Sequence, residues 1–398
     1  MAAMARVVWD DVFTEYNFGE GHPMAPLRLE LTARLCESFG LFDRSDVDVV
    51  APPIASFDLL ATVHDREYIE AVCRASEDPA AADLGRGIGT DDDPAFFGMH
   101  DASARIAQGT QLVCEAVWRG EAAHGVNFCG GMHHAMRDRA AGFCIYNDIA
   151  VGIQWLLDNG AQRVAYVDVD VHHGDGVEAI FWDDPRVLTI SVHENGRILF
   201  PGTGWPADIG GTDAEGSAVN VALPPGVTDS AWLRSISSVV DPLVRAFRPD
   251  VVVSQHGCDT HMEDPLAHLA VTVDAQKQAI EIMHQLAHEI CDGRWVALGG
   301  GGYEVVDVVP RTWTHLTAIA AHAPIDVQTE TPVQWRDYVE RRTGRPGPQR
   351  MGDIPVANLP IWVQPWSMGY NPESPIDRAV MAAREATFAH HGLDHWFD

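Results

Sequence analysis

Residues 163–176 read RVAYVDVDVHHGDG, and this stretch decides the fold. Its first half is an apolar run of the kind that fills a strand. Its second half brings Asp168, Asp170, His172, His173 and Asp175 in quick succession. A short apolar run with no polar alternation is the pattern of a strand buried on both faces. Further runs of this kind lie at 186–191 (RVLTIS), 250–254 (DVVVS) and 294–298 (RWVAL), with weaker ones near 6–9, 125–128 and 218–223. Helical patterns fall between them, at 102–118, 147–157, 230–247 and 275–290. Strand and helix in alternation predict βαβ units, hence an α/β fold: a single domain with a central, mainly parallel, multi-stranded sheet flanked by helices. Sheets of this kind bind ligands beyond the carboxyl ends of their strands.

The chemistry follows from where the polar residues fall. Alternation along an extended chain sends Asp168, Asp170 and His172 to one side. Two carboxylates and an imidazole that converge there form an oxygen and nitrogen donor set for a divalent metal. The competing reading, a helix cap beside satisfied core histidines, would bury charges without partners at a cost of several kcal/mol each. Three more clusters follow apolar runs. Gly130-Gly131-Met132-His133-His134 supplies paired histidines, which suit acid–base work when a carboxylate behind each ring fixes its tautomer. Gly257-Cys258-Asp259 adds an aspartate that by itself reads as a cap. Gly299-Gly300-Gly301-Gly302-Tyr303 serves either a phosphate cradle or a loop whose backbone approaches something closely, and without a following Lys-Ser/Thr it is not a P-loop. Together the clusters hold three metal ligands, two histidines with spare carboxylates and a phenol, the components of metal-assisted hydrolysis.

Composition narrows the partners. The 398 residues are 46% hydrophobic and 21% charged, ordinary for a globular chain. No stretch approaches the roughly 18 apolar residues of a membrane span, and the opening MAAMARVVWDD lacks a signal-peptide pattern. A cytoplasmic protein is expected. Twenty-seven basic residues, of which Lys277 is the single lysine, against 57 acidic ones give a net charge of −30. That excludes nucleic acid and anionic membrane as partners and would attract a cationic substrate. Seven cysteines without a C-x-x-C read as reduced core thiols. Beyond residue 323 the regular alternation gives way to Pro- and Arg-rich sequence (341–350) and scattered tryptophans. Residues 1–323 are read as the catalytic domain. Residues 324–398 are read as an extension packed on the core or at a homo-oligomer contact, with a short helix over 377–390.

These motifs stand in one order with Tyr16, His22-Pro-Met-x-Pro-x-Arg28, Gly142-Phe143-Cys144-x-x-Asn147-Asp148 and Phe200-Pro-Gly-Thr-Gly204. In that order, over about residues 6–320, the chain resembles the zinc-dependent histone deacetylase superfamily, most closely its bacterial acetoin-utilisation deacetylase branch. The resemblance implies the arginase/deacetylase fold, with roughly eight strands. It implies Asp170, His172 and Asp259 as zinc ligands, Asp168 behind His133, and Asp175 behind His134. His134 would act as general base and then as acid to the leaving amine, His133 as electrostatic support, and Tyr303 as hydrogen-bond donor to the oxyanion. Phe143 and Phe200 would wall a narrow tunnel, with Gly142 beside them and Leu266 on the rim. Asp92, within Thr90–Pro94, would hold the backbone amides of a peptide. Arg28 and Cys144 would lie beneath the tunnel floor. A structural potassium ion would take backbone oxygens of Asp168, Asp170 and His172, with Ser191 and Val192.

The expected activity is a zinc-dependent amidohydrolase that removes the acetyl group from acetyl-lysine in a peptide or protein. The alternative is an acetylated polyamine or other small acetylated amine, favoured by the charge of −30. A catalytically silent acyl-lysine reader is a third reading, and the complete set of chemical residues argues against it. An arginase-type ureohydrolase would need two manganese ions and more carboxylates, and Tyr303 with the His–His pair fits that poorly. Zinc is the expected metal, though an Asp–His–Asp set is hard enough to accept iron(II) or cobalt(II).

Overall fold

In the computed structural model, which describes residues 3–354 and 360–398, the 163–176 stretch supplies a central strand and the loop after it. The strands are β1 (Ala3–Val8), β2 (Val47–Val50), β3 (Ala122–Asn127), β4 (Val164–Asp168), β5 (Val187–Glu194), β6 (Ala218–Leu223), β7 (Val251–Gln255) and β8 (Trp295–Leu298). They form one open eight-stranded sheet in the order β2-β1-β3-β8-β7-β4-β5-β6, and every pairing is parallel. β4, β5, β7 and β8 are buried at every residue, which is why their sequences run apolar without alternation.

The helices are α1 (Leu27–Ser38), α2 (Phe57–Leu60), α3 (Arg66–Glu77), α4 (Met99–Trp118), α5 (Asp148–Asp158), α6 (Asp175–Ile180), α7 (Asp229–Phe247), α8 (Val273–Ile290), α9 (Val309–Ala320), α10 (Val333–Thr343) and α11 (Pro375–Thr387). One layer runs α1, α9, α8, α7 and α11 in order of contact; the other runs α3, α4, α5 and α6. Two details depart from the sequence reading. β2 is a half-buried edge strand of four residues, too short to show a pattern. β4 stops at Asp168, two residues before the apolar alternation ends, because the Asp168 carboxylate accepts the Asp170 amide at 3.1 Å and turns the chain.

The strand order positions the site. β3 and β4 are consecutive along this part of the chain, yet β8 and β7 lie between them. The loops after β3, β8, β7 and β4 therefore emerge side by side at one edge of the sheet. They carry His133 and His134, Tyr303, Asp259, and the 168–175 run. This is the crevice at a switch in strand order, where open parallel sheets bind ligands.

Residues beyond 323 pack closely on this body. On α10, Trp335 is buried and its indole donates to the Leu31 carbonyl of α1 at 3.0 Å. α11 starts two residues before the helix read at 377, because Pro375 suits a first turn and the Ser374 hydroxyl caps the Asp377 amide. Its Asp377 grips Arg234 of α7 with both oxygens, at 3.0 and 3.1 Å, while the guanidinium also donates to the carbonyls of Gln364, Pro365 and Gly369. Both charged side chains are buried. Removing one partner strands the other in a dry site, so Asp377→Ala should lower unfolding free energy by about 3 kcal/mol. Urea denaturation measures this, and a loss below about 1 kcal/mol, the range of exposed pairs, would show that the contact is not holding α11 to α7.

Candidate active site

Asp170 and His172 sit on the loop after β4, and Asp259 on the loop after β7. Their ligand atoms lie within 4.8 Å of one another. The His172 Nδ1 stands 3.1 Å from an oxygen of each aspartate. Both aspartates have no solvent exposure. Burial and the Asp170 charge push the Asp259 carboxyl up, whereas His133 and His172 hold Asp170 low against its burial. Two facing carboxylates and an imidazole in a dry site fit a divalent cation, which supplies the missing counter-charge.

Behind this cluster stand two His–Asp pairs. His133 Nδ1 meets Asp168 at 2.8 Å, and His134 Nδ1 meets Asp175 at 2.7 Å, so each ring turns its Nε2 away from its carboxylate. Their environments differ. Burial opposes charge on His133, but Asp168, with Asp170 and Asp175 nearby, raises it to about 9. Burial and the charge on His133 lower His134 to about 4, against the pull of Asp175. One ring is thus poised as a cation and the other as a neutral acceptor, a separation that assigns acid–base roles.

A cavity of about 200 Å³ opens onto His134, His172 and Tyr303. Phe143, Phe200, Leu199, Leu266, Gly142 and Asp92 form its walls and mouth. Gly142 is required there: a Cβ would meet the His134 ring at 2.5 Å and the Phe200 ring at 2.8 Å. Phe143 follows with φ +68°, a left-handed conformation that costs a phenylalanine about 1 kcal/mol or more, and Tyr16 donates to its carbonyl at 2.7 Å. His22 packs on the Phe143 ring and contacts the Asp92 carbonyl at 3.2 Å, fixing the rim loop. The tyrosine hydroxyl of Tyr303 is held protonated, its pKa raised by burial and by the Asp259 and Asp170 charges.

The glycine loop approaches the metal cluster, not a phosphate. A Cβ on Gly301 would lie 2.0 Å from Asp259, and the Gly301 amide donates to Asp170 at 2.8 Å. Arg28 is buried below it, donating to the Gly300 carbonyl at 2.8 Å with its guanidinium over Trp313, and Cys144 is buried against the Gly142 carbonyl. Ser191 pairs in register with Asp168 across β4 and β5, and Val192 follows on the same strand. The Ser191 hydroxyl meets the His193 ring at 2.9 Å.

Several supporting residues escaped the sequence reading. Gln255 donates to Asp170 at 2.8 Å. Tyr166 donates to Asp168 at 2.5 Å. Asp264 accepts the Tyr303 amide at 2.8 Å, and Asp148 accepts the amides of Gly131 and Met132. Gln255 carried a signal, a polar residue closing an apolar run. Asp148 lay inside a quoted motif without a role of its own, and Asp264 stands two residues before Leu266 of the rim.

The aspartates at 91–93 part company in space. Asp92 reaches the cavity mouth, while Asp93 is 1% exposed and its Oδ1 has no partner among the described residues. Burial, with the Asp92 charge, raises Asp93 from 3.8 to about 8. The folded chain therefore holds a proton that the unfolded chain releases, and stability falls as pH rises from about 4 towards about 8. Asp93→Asn, neutral throughout, escapes that loss. The D93N protein should match wild type near pH 3, below the carboxyl's unfolded pKa, and exceed it at pH 9 by on the order of 1 kcal/mol or more. Urea unfolding at both pH values tests this; a gap that does not change with pH would mean Asp93 is ionised when folded.

A family model described as "Histone deacetylase domain" matches residues 22–320. Among curated proteins, the chain is 40% identical over 330 residues to the "Acetoin utilization protein AcuC" of Bacillus subtilis (strain 168), covering 82% of this chain and 84% of that one. It is 36% identical over 348 residues to the protein of that name from Staphylococcus aureus (strain MRSA252), covering 87% and 89%. The Staphylococcus xylosus protein of that name is 36% identical over 311 residues, covering 78% and 80%.

Proposed function

We propose a substrate and a division of labour for a chain that belongs to the histone deacetylase family and, within it, groups with the bacterial acetoin utilization proteins. The protein is a deacetylase, a hydrolase of acetylated substrates whose family works with a divalent metal. We take the metal to be zinc, held by Asp170, His172 and Asp259. When bound, that ion would polarise the acetyl carbonyl and make a nucleophile of water near neutral pH.

The residues of the chain do the rest. The substrate is the acetyl amide of a lysine side chain, threaded between Phe143 and Phe200 with Leu266 and Gly142 completing the wall. His134, neutral and facing the cavity, accepts the proton of the attacking water and returns it to the leaving amine. Asp175 fixes its tautomer and supports its charge. His133, held cationic by Asp168, stays out of the cavity lining and stabilises developing negative charge. Tyr303, protonated at any working pH, donates to the tetrahedral oxyanion. Arg28 and Cys144 border the floor from which acetate departs. A potassium ion between the Asp168–His172 backbone and Ser191–Val192 would brace the ligand loop. No helix among the described residues is long and apolar enough to cross a membrane, and all seven cysteines are free, which suits the reducing cytoplasm.

The observation that carries the acetyl-lysine reading is the carboxylate of Asp92 at the mouth of a narrow, aromatic-walled cavity that ends on His134 and Tyr303. A peptide offers amides for that carboxylate to hold; a small amine does not. The net charge of −30 favours the second reading, an acetylated polyamine. Acetate release from an acetyl-lysine peptide and an acetylated polyamine, measured side by side on zinc-loaded protein, separates the two. We expect the peptide to be preferred and Asp92→Ala to hurt it selectively; equal loss on both substrates would remove Asp92 from recognition. Tyr303→Phe should cut turnover by about 10²-fold or more with metal content unchanged, and near-normal activity would exclude its oxyanion role.

A further inference from the structure

Four histidines that take no part in the pocket bring their rings together elsewhere in the fold. His124 lies on β3, His284 and His288 stand one turn apart on α8, and His322 follows the end of α9. Their Nε2 atoms are mutual neighbours. His124 and His322 are 3.0 Å apart, as are His284 and His322. His124 is 3.2 Å from both His284 and His288, which are themselves 3.2 Å apart, and His288 lies 3.3 Å from His322. Six near-equal edges of 3.0–3.3 Å make a nearly regular tetrahedron whose centre is about 1.9 Å from each nitrogen, against about 2.0–2.1 Å for a zinc–imidazole bond.

Hydrogen bonding does not account for this packing. Each Nε2 either donates one proton or accepts one, so four such atoms form at most two bonds, and the other close approaches set lone pair against lone pair or proton against proton. Protonation is no remedy. Burial and the neighbouring imidazoles hold His124 down to about 3 and His284 down to about 4, and lower His322 as well. A cation at the centre satisfies all four lone pairs at once.

The surroundings suit one. Trp295 packs its ring against His124 and His284. His322 adopts φ +51°, a conformation a side chain with a Cβ takes at a cost, and a Cβ on Gly293 would lie 2.9 Å from the His288 ring. His124 is buried whereas His288 and His322 are exposed, so an ion reaches the cluster from solvent.

We propose that His124, His284, His288 and His322 form a second, closed metal site for a tetrahedral divalent transition ion, zinc above all, that ties β3, α8 and the end of α9 together. Four neutral nitrogen donors exclude magnesium and calcium, and tetrahedral geometry favours zinc or cobalt(II) over copper(II) or nickel(II). With four protein ligands no position is left for substrate, so the ion fastens helices to the sheet and performs no chemistry.

The test uses the full, tag-free chain stripped of metal, reloaded with Zn²⁺ alone and desalted, with zinc per chain measured by mass spectrometry. Wild type should hold two equivalents. The D170N/D259N protein, crippled at the catalytic cluster, should hold one. Loaded with Co²⁺, it should show the intense visible absorption of a tetrahedral ion. The H284Q/H288Q protein should lose one equivalent and keep acetate release, whereas chelation should lower the melting temperature of D170N/D259N, whose remaining zinc sits on the four histidines. If H284Q/H288Q does not fold, H288Q/H322Q, at two exposed positions, replaces it with the same expectation of lost zinc. No zinc on D170N/D259N, or zinc on H284Q/H288Q or H288Q/H322Q equal to wild type, would overturn the site. A failure of the catalytic reading leaves the D170N/D259N result unaffected.

Discussion

Two carboxylates, Asp170 and Asp259, stand without solvent exposure beyond the ends of adjacent strands β4 and β7, and much of the structure is arranged round the cost of keeping them there. Like charges so placed repel, and each pays heavily for lost hydration. The chain answers with donors. His172 lies between the two acids, the Val171 amide reaches Asp259, and Gln255 and the Gly301 amide reach Asp170. Only a loop stripped of side chains comes that close, which is why four glycines follow β8. Arg28 in turn props the glycine loop from below. The remaining deficit of positive charge is the reason a metal fits.

The same economy of charge separates the two histidines. His133 and His134 are adjacent in sequence and equally buried, with ring centroids 4.0 Å apart, yet they are driven in opposite directions. His133 faces the denser group of acids, whereas His134 has one carboxylate and a charged neighbour. Adjacent residues acquire different environments because strand order sets only β8 and β7 between β3 and β4, close enough for each ring to find a different aspartate on one loop.

Much of this was legible in the sequence, for a physical reason. A parallel strand buried on both faces has no solvent side to lend it polar residues, so aspartates and histidines that close apolar runs mark the sheet's edge. Residues 130–134, 168–175 and 299–303 stand out on that ground, whereas Asp259 by itself reads as a cap and joins them only through the family resemblance. What stayed hidden depends on folding in three dimensions. Asp92 and Asp93 are indistinguishable as letters, and only the turn sends one to the cavity and buries the other. Gln255, Tyr166 and Asp264 act through neighbours far off in the chain. The His284-x-x-x-His288 pair shows helical spacing, but its partners at 124 and 322 come from a strand and a helix end that nothing local connects. β2 and α10 are short pieces at the margin, where period and burial leave weak traces.

Strand order also dictates how the molecule comes into being. β1, β2 and β3 make one ribbon, β4, β5 and β6 another, and both are complete in sequence by Leu223. They touch nowhere along their strands until β7 and β8 slip between them, and until then each ribbon shows a bare edge to solvent. A chain made only as far as Leu223 can pair at most two separate half-sheets, and the groups of the candidate site are split between them, His133 and His134 on one, Asp168 and Asp175 on the other. The last two strands act as a keystone: they pair with the inner edges of β3 and β4 and bring Asp259 and Tyr303 to the other groups, so a chain without them offers sticky edges but no premature hydrolase.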